Sequence, residues 1–310
     1  MPFQSGYVAI VGRPNAGKST LVNTLIGQKV SIVSPKPQTT RNRVQGILNR
    51  NNAQIVLIDT PGIHKPASVL NRMMMDEVQH ALEGLDVLSL IVDATADFGA
   101  GDRFSIEWVK RFRGPVFLLL NKVDRVKKPA LLPLIDRYQK AFNFSEVFPI
   151  SARTGEGCAD LVEGWLRHLP EAQPYFPTDQ FTDQPERFLA GEIIREKAIL
   201  ETREEIPHAL AVVIDSFEET PKLIHIRASI CVEREGQKGI LIGKSGERIK
   251  QIGTFARKEL EQILGAKVFL ETFVRVEPRW RENPTLVRQL DWRYQLEQLA
   301  DHQQSEPAEH

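Results

Sequence analysis

Residues 7–27 read YVAIVGRPNAGKSTLVNTLIG. The first five form an apolar run without alternation, the pattern of a strand buried on both faces. Residues 19–27 carry a helical pattern. Between them, GRPNAGKS at 12–19 fits the spacing G-x-x-x-x-G-K-[ST]. The glycines let backbone N–H groups curl around phosphates, and the helix N-terminus adds a favourable dipole. In this reading Gly12, Arg13, Pro14, Asn15, Ala16, Gly17, Lys18, Ser19 and Thr20 surround a nucleotide. Lys18 reaches the outer phosphates and acts in catalysis, and the Ser19 hydroxyl ligates Mg²⁺. Strand, phosphate loop and helix in that order imply an α/β fold.

The next 150 residues repeat the alternation. Runs at 54–58, 87–92, 116–120 and 147–150 read as further buried strands, and 70–82, 103–112, 130–142 and 158–169 as helices. This predicts a mostly parallel sheet with helices on both faces, with ligands at the carboxyl ends of its strands. The remaining motifs fall at those ends. After 54–58 come Asp59, Thr60, Pro61, Gly62 and Ile63, where Asp59 can hold Mg²⁺ through water and the Gly62 amide can sense a terminal phosphate. After 116–120 come Asn121, Lys122, Val123 and Asp124. The Asp124 carboxylate can accept from the N1–H and 2-amino group of guanine. Adenine has an acceptor at N1 and no such amino group, so it would leave a buried carboxylate unpaired. Asn121 can support the base, and the Lys122 stem can cover its ring. Ser151 and Ala152 end the last strand, where a backbone amide can meet the guanine oxygen. Four such motifs in order specify a GTPase and argue against an ATP-using kinase.

Composition bounds the rest. The two cysteines, Cys158 and Cys231, have no metal-like spacing and so give no support for a disulfide framework or a zinc site. No apolar run is long enough to span a bilayer, and the N-terminus lacks a signal pattern. A cytoplasmic setting is the expectation. The net charge of zero hides an asymmetry: residues 1–172 carry 21 Lys+Arg against 16 Asp+Glu, and the remainder 19 against 24. Nucleic-acid binding in the second half therefore has to rest on a local patch.

That patch exists. Residues 239–250 read GILIGKSGERIK. Lys238, Lys244, Arg248 and Lys250 face only Glu247 over 238–250. Gly243, Lys244, Ser245 and Gly246 form a G-x-x-G that lacks the spacing of the first loop. It lies between two helices, after a helix (187–200) and two strands (209–217 and 223–232). A helix follows with Ile249, Ile252, Ala256, Leu260 and Ile263 on one face, then a strand at 267–276. This α-β-β-α-GxxG-α-β order fits an α+β KH module of type II, whose loop clamps about four backbone nucleotides of a single strand. Ile240, Leu241, Ile242 and Ile249 can floor the site beneath the bases. Gly243, Lys244, Ser245, Gly246, Arg248 and Lys250 are its candidate RNA contacts. The domain boundaries follow: 1–170 for the GTPase domain, a proline-bearing linker over 171–186, 187–280 for the KH domain, a helix over 281–302 and a disordered tail over 303–310.

SIVSPKPQTTR at 31–41, DTPGI at 59–63 and the KH-like half resemble the Era family of bacterial GTPases, from Tyr7 to about Trp292. The resemblance implies a role in small-subunit assembly, with GTP or GDP, the 3′ end of 16S rRNA and the 30S subunit as partners; a monomer is the expectation for the chain. It implies that Thr40, or its neighbour Thr39, is the switch threonine that joins Ser19 and Asp59 around Mg²⁺ and acts in catalysis. It also implies a potassium ion at Asn15, which could equally just brace the loop. Trp280 either stacks on a base or packs against its own domain. Ile63 stands where many small GTPases have a water-orienting glutamine, so unaided turnover is expected to be slow, roughly 10⁻⁴ to 10⁻² s⁻¹. The rival reading is a GTP-dependent adaptor that docks on a protein or on the inner face of the membrane, with the KH-like fold as scaffold.

Overall fold

The computed structural model describes residues 2–203, 206–288, 290, 291 and 294. The chain divides into two compact units, one built from residues up to Pro66 and from Arg72 to Asp183, the other from Ala67–Asn71 and from Gln184 onward.

The first unit is a six-stranded sheet. Its strands are β1 (Gln4–Val11), β2 (Val44–Arg50), β3 (Ala53–Asp59), β4 (Val87–Asp93), β5 (Val116–Asn121) and β6 (Glu146–Pro149). They lie in the order β2-β3-β1-β4-β5-β6. All pairings are parallel except that of β2 with β3. Helices α1 (Lys18–Ile26), α2 (Val69–His80), α3 (Ala100–Val109) and α4 (Leu131–Ala141) lie between them, and α5 (Cys158–Leu166) follows β6. Every residue of β3 and β5 is buried, which is why these strands are dominated by consecutive apolar residues, Ile55–Ile58 and Val116–Leu120. The sheet has a core on each face. One gathers Leu21, Phe117 and Trp165, the other Met75, Val78 and Ile106. Side chains of this size contribute about 2–3 kcal/mol each on full burial. Trp165 keeps its polar edge satisfied by donating from Nε1 to Ser89 Oγ at 3.0 Å.

Two features depart from expectation. Strand β2 is not evident in VQGILNR, whose residues neither alternate nor form an apolar run. It exists because a two-residue turn at Asn51 and Asn52 folds it back on β3, from Arg50↔Ala53 to Val44↔Asp59. The expected linker is also no free connector. Ala172 N–H donates to Phe3 O (3.1 Å), and Ile47 N–H on β2 donates to Phe181 O (2.9 Å). Buried Gln54 accepts from the amides of Tyr175 and Phe176 (2.8 and 2.9 Å) and donates to Phe176 O (2.8 Å). Residues 171–183 thus form a strap over the edge of β2, whose backbone groups would otherwise be unpaired. The first unit therefore ends near Asp183 rather than at 170.

The second unit is a three-stranded sheet in the order β7-β8-β9, from β7 (Ala211–Glu219), β8 (Ile224–Val232) and β9 (Val268–Val276). β7 pairs antiparallel and β9 parallel to β8. Helices α6 (Glu186–Leu200), α8 (Glu235–Ile242) and α9 (Glu247–Leu264) complete it. Ile252, Ala256 and Leu260 of α9 are fully buried, as their spacing predicts. A short helix α7 (Ile206–Ala209) delays the start of β7, expected at 209, to Ala211. Trp280 is buried and donates from Nε1 to Ala209 O at 2.7 Å, so it packs against its own domain and does not offer a stacking face. Of the helix expected over 281–302, α10 (Pro284–Arg288) is present; beyond it only Leu290, Asp291 and Tyr294 are described, and the tail over 303–310 lies outside the described residues.

Candidate functional site

The loop from β1 to α1 has a shape that only glycine permits at two points. Gly12 holds φ +155°, and a Cβ there would lie 2.3 Å from Ile91 O. Gly17 holds φ +108°, and a Cβ there would lie 2.1 Å from Asn121 Nδ2. Asn15, also left-handed, donates from Nδ2 to Pro35 O at 2.9 Å and so braces the loop that carries Thr40. The buried Lys18 ammonium donates to Gly12 O (3.2 Å) and Arg13 O (2.9 Å). Burial pushes its pKa down to about 8, against the opposing pull of Asp59. Arg13 turns outward to Asp102 at 3.1 Å, a tie from the loop to α3.

Beside Lys18, three oxygens converge. Ser19 Oγ donates to Asp59 Oδ2 at 2.7 Å and lies 2.9 Å from Thr40 Oγ1. The Thr39 hydroxyl instead donates to Lys36 O at 2.7 Å. Of the two threonines left open by the sequence, Thr40 is therefore the one at this position. Asp59 Oδ1 is buried without a hydrogen-bond partner, and burial raises the pKa of the carboxyl. Two hydroxyls and a desolvated carboxylate make a hard, oxygen-only set that fits Mg²⁺. Thr60 donates to Ile10 O at 2.8 Å, and Ile63 N–H to Gly12 O at 2.9 Å. A Cβ on Gly62 would lie 2.7 Å from Pro14, so this turn is pressed against the phosphate loop. The Ile63 side chain is in the core, where it cannot orient water.

At the other end, Asn121 joins the phosphate loop to the 151–152 turn. Its Nδ2 donates to Ala16 O, and its Oδ1 accepts from Ala152 N, both at 2.8 Å. The Ala152 amide, a candidate to meet guanine, is thus engaged inside the protein, and the Ser151 amide donates to Glu156 O at 2.9 Å. Lys122 Nζ donates to Asn15 O (2.9 Å) and Asp93 Oδ2 (2.6 Å). Asp124 accepts from Ser151 Oγ and Arg153 Nη2, both at 2.7 Å. The Ser151 hydrogen bond, then Arg153, hold its carboxyl below the usual range. Val123 begins the short turn that carries Asp124. A cleft of about 780 Å³ runs from Lys18 and Thr40 to Asp124, within the span of ligand sites. Asp93 and Arg153 were not found by motif. Asp93 ends β4, so strand-end position alone was the signal for it; Arg153 directly follows Ser151 and Ala152.

The second loop joins α8 to α9. Gly243 and Gly246 hold φ of +73° and +79°, with Ser245 at +53° between them. A Cβ on Gly243 would lie 2.8 Å from Arg248 Cβ. Lys244, Ser245 and Lys250 are exposed. Arg248 donates to Ile240 O and so braces the loop. Leu241 is fully buried, so it belongs to the core and not to a floor beneath bases; Ile240 is the exposed member of that run.

Residues 7–122 match the family model described as a 50S ribosome-binding GTPase, and 205–281 match that of the KH domain. The chain is 50% identical over 293 residues to GTPase Era of Leuconostoc citreum, covering 94% of this chain and 97% of that protein. A tyrosine-to-alanine variant of Aquifex aeolicus Era bound to GDP and AlF₄⁻ superposes with TM-score 0.90 at 45% identity, over 94% of this chain and 99% of that one. Era in complex with MgGDPNP and nucleotides 1506–1542 of 16S ribosomal RNA superposes with TM-score 0.91 at 45% identity and the same coverage. With identity of this extent across both domains, the chain belongs to the Era family of GTPases.

Proposed function

We propose that this chain is a GTP-hydrolysing switch that binds the 3′ end of 16S rRNA through its KH domain and acts in assembly of the 30S subunit. The observation that carries the RNA half is the loop at Gly243–Gly246, with both glycines at positive φ and exposed Lys244 between them. It supports a close backbone approach to phosphates, and the relative solved with nucleotides 1506–1542 of 16S rRNA names the strand. On this reading the protein works as a monomer in the cytoplasm. A peripheral place on the inner membrane face would need a surface that the RNA reading does not use.

In the first unit, Lys18 leaves the carbonyls of Gly12 and Arg13 for the outer phosphates, and backbone N–H groups at the start of α1 face them. Ser19, Thr40 and Asp59 would hold Mg²⁺, which would supply positive charge against the phosphates. Thr40 reports the terminal phosphate by moving its loop, and Gly62 does so through its amide. With Ile63 in the core, its side chain does not orient the attacking water. Unaided turnover is therefore expected to be slow, in the range of unassisted switch GTPases, about 10⁻⁴ to 10⁻² s⁻¹. Asn15 would hold a potassium ion through Oδ1, because its Nδ2 donates to Pro35 O. Activity equal in sodium-only and potassium buffers would exclude that role.

The test is a titration against single-stranded RNA matching the 16S 3′ end, with a non-hydrolysable GTP analogue and with GDP at fixed salt. The reading expects tight binding, favoured by the analogue, that is lost in Gly243→Glu and Gly246→Glu variants which keep GTPase activity. Binding no tighter than to a scrambled strand would move the weight to the adaptor.

A further inference from the structure

We propose that Arg153 competes with the guanine base for Asp124 and thereby sets how tightly this chain holds guanine nucleotides. The proposal rests on the reading of Asp124 as the guanine-recognising residue. Arg153 Nη2 lies 2.7 Å from Asp124 Oδ2, while Ser151 Oγ donates to Oδ1 at 2.7 Å. Both carboxylate oxygens are thus engaged by the protein itself, and both Arg153 and Asp124 line the cleft. The Arg153 side chain is 77% exposed and that of Asp124 13%. The arginine reaches in from solvent and is not built into the core.

The chemistry of the two competitors is the same. The N1–H, C2 and 2-amino group of guanine form a planar guanidine edge with two N–H donors on one carbon. The arginine head group carries that edge with a positive charge added. A carboxylate placed to accept from one accepts from the other on the same atoms. The Ser151 bond leaves Asp124 pointing into the cleft in either case. It is the Arg153 bond that guanine has to displace or share.

The consequence is a reduced fraction of protein with Asp124 open to the base, and apparent affinity falls by that fraction. A pair whose arginine end lies in solvent is weak, so the reduction is about two- to fivefold. It acts alike on GDP and GTP, which present the same base, and so leaves the preference between them untouched. A residue that merely attracted anionic nucleotides would do the opposite, and its removal would weaken binding.

Affinity and association rate of methylanthraniloyl-GDP and of a labelled non-hydrolysable GTP analogue would be measured on full-length protein stripped of nucleotide. Four proteins are needed: wild type, Arg153→Ala, Asp124→Ala and the double variant. Arg153→Ala is expected to tighten both nucleotides by the same factor of about two to five, and to give no gain in the Asp124→Ala background. Unchanged or weaker binding in Arg153→Ala would overturn the proposal. So would an equal gain in both backgrounds. An Asp124→Ala protein that bound GDP as tightly as wild type would instead overturn the guanine reading of Asp124, and this inference with it.

Discussion

Asn121 and Gly17 are in contact so close that no side chain fits between them: a Cβ on Gly17 would lie 2.1 Å from Asn121 Nδ2. The same nitrogen donates to Ala16 O at 2.8 Å. One side chain thus ties the base end of the cleft to its phosphate end. Asn121→Ala would leave Ala16 O and Ala152 N without partners in the interior. The expected cost is about 2–4 kcal/mol of stability in the first unit, with GDP binding weakened at least about tenfold. Denaturant unfolding and a GDP titration check this, and an Asn121→Ala protein of wild-type stability would refute the clamp.

Specificity for guanine should follow Asp124. In Asp124→Asn the amide no longer accepts from both N–H donors of guanine. GDP affinity is expected to fall about a hundredfold, while xanthosine diphosphate, which offers an acceptor in place of the 2-amino group, gains. Competition binding with GDP, XDP and ADP reads this directly. Equal loss for GDP and XDP would mean that Asp124 acts on the loop rather than on the base.

Affinity for GDP should decline as pH rises through about 8, the value to which burial depresses Lys18. Phosphate needs the charged ammonium. Between pH 8 and the ordinary lysine value of 10.5, free protein holds Lys18 mostly neutral, so binding takes up a proton. The sign for stability without nucleotide is opposite. The unfolded chain carries a proton there that the folded one lacks, so Lys18's contribution rises with pH across that window. Calorimetry of GDP binding in two buffers of different ionisation enthalpy, at pH 7 and pH 9, measures the uptake. No uptake at pH 9 would contradict the depressed value.

The strap should detach without harming the nucleotide cleft. Gln54 holds Tyr175 and Phe176 through three hydrogen bonds, all of which Gln54→Ala removes. A loss of about 2 kcal/mol is expected, with faster protease cleavage within 171–183 and unchanged GDP affinity. Cleavage at the wild-type rate would show that the strap is held mainly by its contacts to β2.

Much of this protein was legible in local sequence. The strands β1, β3, β4 and β5 announce themselves because burial on both faces demands unbroken apolar runs. The two glycine loops announce themselves because phosphate approach demands backbone at positive φ. Gly12, Lys18, Asp59, Asn121, Asp124, Gly243 and Gly246 are all local signals of this kind. Tertiary structure decided the pairings between distant residues. Whether Thr39 or Thr40 joins Ser19 depends on how the 31–41 loop closes over α1. Strand β2 exists through its partner β3, and the strap exists through the edge that β2 exposes. Trp280 is core because the carbonyl of Ala209, 71 residues away, waits for its N–H. Arg153 beside Asp124 belongs to the same class. A motif can state what one segment is able to bind, but which groups already satisfy one another depends on distances that only the folded chain sets.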